Sequence, residues 1–298
     1  MIRAIAVVVP ARDEERLLGG CLASVRRAAR HPRVAGLPVR LVVVADSCQD
    51  RTAAIARHAG AEVATIRACN VGAARARGTD RALAEVLSPS RGPAPDELWL
   101  AHTDADTRVP YGWLARQLSY AEQGWDAVVG TVQVLDWSEH PPGTAERFQR
   151  QYATPVRPSV ETAPKPTLRG GPRAEHPHVH GANLGVRAGA YRSAGGFAAL
   201  AVGEDHALVA ALEALGRPVR RAADLPVITS ARRGVRARGG FGDTISALSL
   251  PSALPSVLPS ALAVAGPPAG PPVGVPSGPP PVSSAAPLPT VRTAIDSR

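Results

Sequence analysis

Residues 5–30 read IAVVVPARDEERLLGGCLASVRRAAR, a short apolar run followed by a longer segment with apolar residues at helical spacing. Residues 5–9 are mostly β-branched and are bounded by Pro10, which is typical of a strand buried on both faces. The apolar residues of 14–30 recur at the spacing of one helix face. This stretch therefore predicts a strand followed directly by an amphipathic helix.

The same unit recurs three times further along the chain. Apolar runs predict strands at residues 39–45, 61–66 and 97–101, and helical spacing predicts helices at 51–58, 70–86 and 109–123. Such alternation is typical of an α/β fold with a mostly parallel, doubly wound, Rossmann-like sheet. Because ligands bind beyond the carboxyl ends of the strands in these sheets, we expect functional side chains in the polar segments that follow them.

The second half of the chain has a weaker pattern. Alternation predicts a strand over 127–136, and order resumes with residues 181–186, a helix over 204–215 and a short strand at 218–221. Between them, residues 138–180 are interpreted as an irregular, partly ordered excursion of the kind that carries acceptor specificity. Proline recurs at every fourth position from residue 251, which predicts a disordered tail over 251–298 and a single domain over 1–250.

The composition of the 298 residues excludes several classes of protein. The formal charge is +9, but the arginines are dispersed among acids and aromatic residues make up only 4%, which argues against nucleic acid. Three isolated cysteines fit a reducing compartment and neither a disulfide framework nor a zinc site. With no signal peptide and no apolar run of membrane-spanning length, we expect a cytoplasmic protein without a transmembrane segment, and peripheral membrane contact remains open.

Two carboxylates follow the fourth predicted strand, in the segment Asp104-Ala-Asp106. Period-two alternation sends both side chains to one side, where they suit a Mg2+ or Mn2+ ion that also takes phosphate oxygens. Alone, such a tripeptide is also explained by a capped turn. Its place at the ligand-binding end of the sheet favours the metal.

Polar side chains also follow the second and third strands. Asp46 ends the second strand, where a short carboxylate can bind a nucleobase imide or a ribose hydroxyl, whereas Asp50 is better explained as a helix N-cap. Asn70, Gly72 and Arg75 combine a glycine turn, exposed amides and positive charge, which suits an anionic nucleotide. An ordinary cationic helix face explains the same residues.

Glu204 and Asp205 precede an apolar helix. Acids at a helix start complement the helix dipole, and this is the simpler explanation of the pair. The functional alternative is a carboxylate held at the edge of the sheet as a general base.

Two basic groups are candidates for the acceptor or phosphate side. His176, His178 and His180 could place three imidazoles on one face as metal ligands, but an acceptor-side or solvated loop is preferred because Pro177 interrupts them. The arginines of the segment 232–240 could close over a diphosphate or remain a solvated basic loop; they include Arg232, Arg236 and Arg238.

Together these residues resemble the family 2 glycosyltransferases of the GT-A fold, over about residues 4–245. The similarity rests on the order and spacing of several short motifs: Val7–Glu14, Asp46–Thr52, Asn70-Val-Gly72, Asp104-Ala-Asp106, Gly181–Arg187, Gly195-Gly196-Phe197 and Gly203-Glu204-Asp205. The resemblance implies transfer of a sugar from a nucleotide-diphosphate sugar donor.

The resemblance also implies roles for individual residues. Asp46 would bind the base, Asp104 and Asp106 would hold the ribose and the metal, and Asp205 would deprotonate the acceptor. Glu204 is taken with Asp205 as part of the catalytic pair. The residues expected to border the nucleotide are Pro10, Ala11, Arg12 and Glu14, and those expected on the acceptor or phosphate side include His180 and Asn183.

The sequence departs from the family pattern in ways that limit the function. Ala45 replaces the first acid of the usual Asp-Asp-Gly-Ser motif, and Ser47-Cys48 replaces its Gly-Ser. The Gln-x-x-Arg-Trp motif of processive synthases is absent. These departures put the identity of the base in doubt and argue against a processive polysaccharide synthase. From the roles of Asp104, Asp106 and Asp205 we expect an inverting hexosyltransferase that depends on Mg2+ or Mn2+ and acts on an unidentified small-molecule, lipid or glycan acceptor. The alternatives are a nucleotidyltransferase on a similar sheet and a non-catalytic scaffold that binds nucleotide sugars.

Overall fold

Seven strands and eight α-helices follow one another in the computed structural model, which describes residues 1–87, 92–152, 175–233 and 240–249. The strands are β1 (Ala4–Ala11), β2 (Val39–Asp46), β3 (Glu62–Ile66), β4 (Leu98–His102), β5 (Ala127–Gln133), β6 (Leu184–Arg187) and β7 (Val219–Ile228). The helices are α1 (Leu18–Ala29), α2 (Thr52–His58), α3 (Val71–Val86), α4 (Trp113–Glu122), α5 (Thr144–Tyr152), α6 (Ala188–Ser193), α7 (Glu204–Ala214) and α8 (Phe241–Leu248).

The strands form one sheet in the order β3-β2-β1-β4-β6-β5-β7. The pairs β1–β2, β1–β4, β2–β3 and β5–β7 are parallel, and only β6 runs antiparallel to its two neighbours. All eight residues of β1 are buried, as expected for a strand with helices on both faces. The predicted α/β fold with a mostly parallel sheet is therefore confirmed.

Apolar side chains cover both faces of the sheet. One cluster packs the sheet against α1 and α4 and includes Leu22, Trp99 and Leu118. The other packs it against α3, α6 and α7 and includes Val42 and Leu208. Burial on both faces explains why the strands of the first half are nearly continuous apolar runs in the sequence.

Strand β6 passes so close to its surroundings that only glycine fits at its centre. Gly185 pairs with Ala101 of β4, and a Cβ atom there would lie 2.7 Å from the Trp99 ring and 2.3 Å from Gln117 Oε1. Those two side chains are joined beneath it by a hydrogen bond of 2.7 Å from the Trp99 indole N–H. The inserted antiparallel strand thus fixes the distance between β4, which leads to the acidic segment, and β5.

Several elements of the structure differ from the sequence-based expectations. Helix α1 begins at Leu18, four residues after Glu14, because the backbone N–H of Glu14 is bonded to Thr52 Oγ1 at 2.7 Å in a turn. Strand β7 is ten residues long, with an irregularity opposite Gly130 and Thr131, where only residues 218–221 were expected. Helix α5 lies inside the excursion expected to be irregular, and helices α6 and α8 were not expected.

The described residues belong to one compact unit over Met1–Pro251. The single domain over 1–250 stays a prediction, and the disordered tail over 251–298 falls outside the described residues. Within the described ranges, no helix is both long enough and apolar enough to cross a membrane.

Candidate active site

The carboxyl ends of β1, β2, β4 and β7 bring the predicted polar segments to one edge of the sheet. Pro10 and Ala11 are the last residues of β1 and pair with Val44 and Ala45 of β2, so they are buried in the sheet itself. Arg12 follows β1 and is partly exposed. The edge predicted from β-α alternation is therefore where the acidic and basic side chains meet.

Asp104 and Asp106 follow β4 in a turn closed by a hydrogen bond of 3.0 Å from the Thr107 N–H to the Asp104 carbonyl. The two carboxylates reach different arginines, Asp104 reaching Arg75 and Asp106 reaching Arg232. Burial, together with the charges of Asp104 and Glu14, raises the pKa of Asp106 to about 7 against the opposing effect of Arg232. Asp106 is therefore a carboxyl group in which the negative charge is poorly compensated.

Arg232 compensates part of this charge from the end of β7. Its guanidinium binds both carboxylate oxygens of Glu14, one at 2.6 Å, and its Nη2 lies 3.3 Å from Asp106 Oδ2. The Glu14 side chain is only 6% exposed, so this ion pair is largely shielded from water. Two of the predicted donor-side residues thus meet through an arginine more than two hundred positions along the chain from Glu14.

Arg75 compensates Asp104 from the opposite side. Its side chain is 2% exposed, with Nη2 2.5 Å from Asp104 Oδ1 and Nε 3.0 Å from Glu204 Oε1. The guanidinium lies 6.0 Å from the Phe197 ring centroid and packs against Gly181, where a Cβ atom would approach Nη2 to 2.4 Å. The predicted nucleotide-binding arginine therefore lies behind the carboxylates and joins the two acidic segments.

Asp205 sits at the start of α7, and both of its carboxylate oxygens accept backbone hydrogen bonds. Oδ2 accepts from the Gly181 N–H at 2.6 Å, and Oδ1 accepts from the His206 N–H at 2.8 Å. Gly203, at φ 81°, makes the sharp entry into the helix that only glycine adopts readily. Asp205 is partly exposed, while its neighbour Glu204 is buried, and burial raises the pKa of Glu204 despite the Arg75 charge.

The Asp46 carboxylate is held by three consecutive backbone amides. Ala68 N–H and Cys69 N–H donate to Oδ1 at 2.8 and 2.9 Å, Asn70 N–H donates to Oδ2 at 2.8 Å, and Ser47 Oγ donates to Oδ1. Burial opposes the charged form, but these hydrogen bonds together lower the pKa of Asp46. Asp46 therefore joins the end of β2 to the loop before α3. These hydrogen bonds leave one lone pair of the Asp46 carboxylate for a ligand.

Asn70 and Gly72 bind the segment 198–200, which precedes Asp205, the candidate general base. Asn70 Oδ1 caps α3 by accepting from the Ala73 N–H at 2.9 Å, and its Nδ2 donates to the Ala199 carbonyl at 3.0 Å. The Gly72 N–H donates to the Leu200 carbonyl at 3.0 Å. The glycine turn expected to expose amides to a nucleotide is thus bonded to residues 198–200.

The three histidines stack as neutral rings. His178 lies 3.9 Å from the Tyr152 ring centroid, His180 Nε2 bonds to the Tyr152 hydroxyl, and His176 Nε2 bonds to the Val129 carbonyl at 3.1 Å. Burial lowers the pKa of His176 to about 4 and that of His180 to about 3. Within the described ranges these imidazoles do not converge as a metal-binding group.

Three other candidate residues are not found where the acidic and basic side chains meet. Asn183 is fully buried, with its amide N–H groups on the carbonyls of Thr131 and Leu225 and its oxygen bonded to the Trp113 indole at 2.9 Å. It therefore holds the irregularity of β7 in place inside the core. Arg236 and Arg238 fall outside the described residues.

An acidic cluster that the sequence reasoning missed lies between the ends of β1 and β2. Asp13, Cys48 and Asp50 bring one ligand atom each within 4.8 Å of one another. Their carboxylates already accept backbone hydrogen bonds, Asp13 from Gln49 at 2.8 Å and Asp50 from Glu15 at 3.0 Å. The positive φ of Asp13, 51°, is a feature that the sequence does not reveal.

This arrangement, a mostly parallel α/β sheet with acidic segments after β2 and β4, is that of the GT-A fold. The family model described as glycosyl transferase family 2 matches residues 6–193. The chain belongs to glycosyl transferase family 2. Among curated proteins, none matches this sequence.

Two solved structures with a similar fold contain nucleotide sugars. S. aureus TarS 1-349 in complex with UDP-GlcNAc has a TM-score of 0.53 at 15% identity, covering 80% of this chain and 61% of its own. The mannosyltransferase PcManGT from Pyrobaculum calidifontis, in complex with GDP-Man and Mn2+, has a TM-score of 0.52 at 17% identity, covering 80% of this chain and 59% of its own. This chain thus spans about three fifths of each, and the likeness concerns the fold.

Proposed function

We propose that this protein transfers a hexose from a nucleotide-diphosphate sugar to an acceptor hydroxyl, non-processively and with inversion, with Mg2+ or Mn2+ as cofactor. The main support for this proposal is that four acids and two arginines lie together at the ligand-binding edge of the sheet; the acids are Glu14, Asp104, Asp106 and Asp205. UDP-GlcNAc and GDP-Man in the two similar structures support a hexose donor for this chain.

The donor half of the site would be formed by β1, β2 and β4. Arg12 and Glu14 would border the nucleotide, the free lone pair of Asp46 would accept from the base, and Asp104 would bind the ribose. The exposed fraction of the Asp104 side chain, 36%, leaves room for such a contact despite its bond to Arg75. The fixed backbone around Asp46 preorganises this half before the donor arrives.

The residues around Asp106 fit a divalent cation. The pKa of Asp106 rises to about 7 there, mainly through burial and then through the charge of Asp104, and Glu14 adds to the effect. Hard oxygen ligands of this kind suit Mg2+ or Mn2+, and Asp106 would hold the ion. When bound, the ion supplies charge neutralisation for the departing diphosphate.

Asp205 would act as the general base on the acceptor side. Its two backbone hydrogen bonds fix the carboxylate, and each oxygen keeps a lone pair that can take the acceptor proton. Glu204, buried against Arg75, would hold the start of α7 in place. A base on the face opposite the leaving group favours in-line displacement and therefore inversion.

A donor-binding panel tests the proposal without knowledge of the acceptor. Thermal unfolding is measured with UDP-, GDP- and dTDP-sugars, each with and without Mn2+. A ligand at 100 times its dissociation constant stabilises by about 2.7 kcal/mol, which is readily detected. We expect one nucleotide series to raise the melting temperature, and more so with Mn2+; no shift with any donor would contradict the proposal.

The panel is followed by product analysis, which separates sugar transfer from nucleotidyl transfer. A glycosyltransferase releases a nucleoside diphosphate, whereas a nucleotidyltransferase consumes a nucleoside triphosphate and releases pyrophosphate. Residues 10–15, at the end of β1 and directly after it, contain no glycine-rich phosphate loop, which favours the first reaction.

A further inference from the structure

Arg232 holds an unusual position for a residue expected to bind phosphate. Its guanidinium is directed at protein carboxylates, binding Glu14 through both oxygens and approaching Asp106 to 3.3 Å. The Arg232 side chain is 22% exposed, so it lies largely within the site. The positive charge of this arginine therefore stands where the negative charges of the metal site converge.

Hydrogen bonds hold the segment that carries Arg232. Its own N–H is bonded to Ser230 Oγ at 3.2 Å, and Thr229 Oγ1 is bonded to the Thr107 hydroxyl at 2.9 Å. Thr229 also reaches Asp106 Oδ1 at 3.4 Å. The end of β7 is thus bonded to the acidic turn after β4, which holds the backbone that carries Arg232.

A divalent cation on Asp106 and the guanidinium of Arg232 are both positive and draw on the same carboxylate. Their mutual repulsion at this distance disfavours simultaneous binding in a partly buried site. A nucleotide diphosphate brings new anionic oxygens, and a guanidinium fork matches phosphate as well as it matches a carboxylate. Arg232 can therefore exchange one anion for the other.

We propose that Arg232 is an internal counter-cation of the metal site: it neutralises Glu14 and Asp106 in the donor-free protein and transfers to the diphosphate when metal and nucleotide bind. This inference rests on the proposed function, and it adds an order to binding. Metal alone must displace the arginine and binds weakly, whereas metal and diphosphate together give the arginine a new partner.

The test measures Mn2+ binding to the donor-free protein by calorimetric titration. Arg232→Met removes the competing cation, and Arg233→Met, at an exposed neighbouring position, removes the same charge as a matched control. We expect Arg232→Met to tighten Mn2+ binding about tenfold and Arg233→Met to change it less than about twofold. Arg232→Lys, which keeps the charge but not the fork, should fall between them.

The second arm measures the binding of UDP and GDP in saturating Mn2+, with thermal unfolding to confirm that each variant is folded. Arg232→Met should weaken binding of whichever diphosphate the wild type prefers, so metal and diphosphate affinities move in opposite directions. Unchanged Mn2+ affinity in folded Arg232→Met, or equal tightening in Arg233→Met, would overturn the inference while leaving the proposed function intact. Failure of the wild type to bind any metal or nucleotide would overturn both.

Discussion

Arg75 keeps a charge in the interior of the protein, and two carboxylates from distant segments compensate for it. Asp104 and Glu204 lie 29 and 129 positions from Arg75 in the chain, yet both are bonded to its guanidinium. The arginine is 2% exposed, so neither carboxylate can easily exchange it for water. Arg75 thus sets the distance between the turn after β4 and the start of α7.

Replacement of Arg75 by Met should therefore destabilise the fold. Removal of one partner of a buried ion pair typically lowers the free energy of unfolding by about 3–5 kcal/mol, because the remaining carboxylate is desolvated and its charge is uncompensated. Arg77→Met, on the exposed side of the same helix, should change stability by less than about 0.5 kcal/mol. Urea denaturation of both variants measures this, and equal losses would contradict a specific role for Arg75.

Asp106→Asn should keep the fold and abolish metal-dependent nucleotide binding. The raised pKa of Asp106, about 7, means that folding already disfavours its charge, so a neutral amide is tolerated. Folding raises this pKa above its ordinary value of 3.8, so the native state holds the proton more tightly and the wild type loses stability as the pH rises from about 4 to about 7.

Denaturation of metal-free protein across that pH range, alongside nucleotide titration in Mn2+, measures both effects of Asp106→Asn. The variant should show a smaller loss of stability with rising pH than the wild type. Unchanged donor affinity in Mn2+ would argue decisively against Asp106 as the metal ligand.

Among the elements, the segment 176–180 stacks three imidazoles that the fold keeps neutral. Burial lowers the pKa of His176 and of His178, and neighbouring histidines add to the burial effect at His180. At these three histidines the unfolded chain binds more protons than the native state below about pH 6.5. Acidification must therefore destabilise this segment before the surface carboxylates titrate.

His180→Phe should reduce the acid sensitivity of the protein. In the wild type, the stability contributed by neutral His180 is complete above the ordinary pKa of 6.5 and is lost as the pH falls towards about 3. The variant loses the bond to Tyr152, so the informative quantity is the slope of unfolding free energy against pH between about 6.5 and 4.5. An unchanged slope would show that His180 is protonated or exposed in the native state.

The elements of the first half of the chain could be predicted because each is a local pattern. Buried parallel strands are apolar runs, and their helices have one apolar face, so residues 5–123 give the order of elements directly. Strand β6 and the irregularity of β7 depend on pairing between distant segments, which the local pattern does not encode. Helix α5 escaped prediction because Phe148 and Tyr152, which stack at 4.9 Å, are its only large apolar residues, and one such pair is too short a pattern to indicate a helix.

The candidate site shows the same limit. Asp104, Asp106 and Asp205 were identifiable because acids follow strands or open a helix, but their partners were not. The approach of Arg232 to Glu14 and of Arg75 to Glu204 joins segments far apart in the chain, and only the folded sheet brings them together. Asn183 was expected on the acceptor or phosphate side, but it lies in the core. This burial could not be predicted, because a polar residue after an irregular segment carries no sign of it in the sequence.

At the scale of the whole molecule, the two halves of the site come from different halves of the chain. The βα units that the family model matches carry Glu14, Asp104 and Asp106, whereas α7, which carries Asp205, lies beyond the matched range of residues 6–193. Arg75, Asn70 and Gly72 bond the first half to the second. The central claim is that this junction places Asp205 to deprotonate an acceptor opposite a metal-bound leaving group.

Single-turnover transfer, with the donor chosen by the binding panel and an acceptor found by screening, tests that claim most directly. Asp205→Asn should bind the donor as the wild type does and lower the chemical step by roughly 10²–10⁴-fold, the usual contribution of a positioned base, while Glu204→Gln should lower it less. The wild-type product should have the anomeric configuration opposite to that of the donor. Full turnover in Asp205→Asn, or a product that retains the donor configuration, would contradict the account.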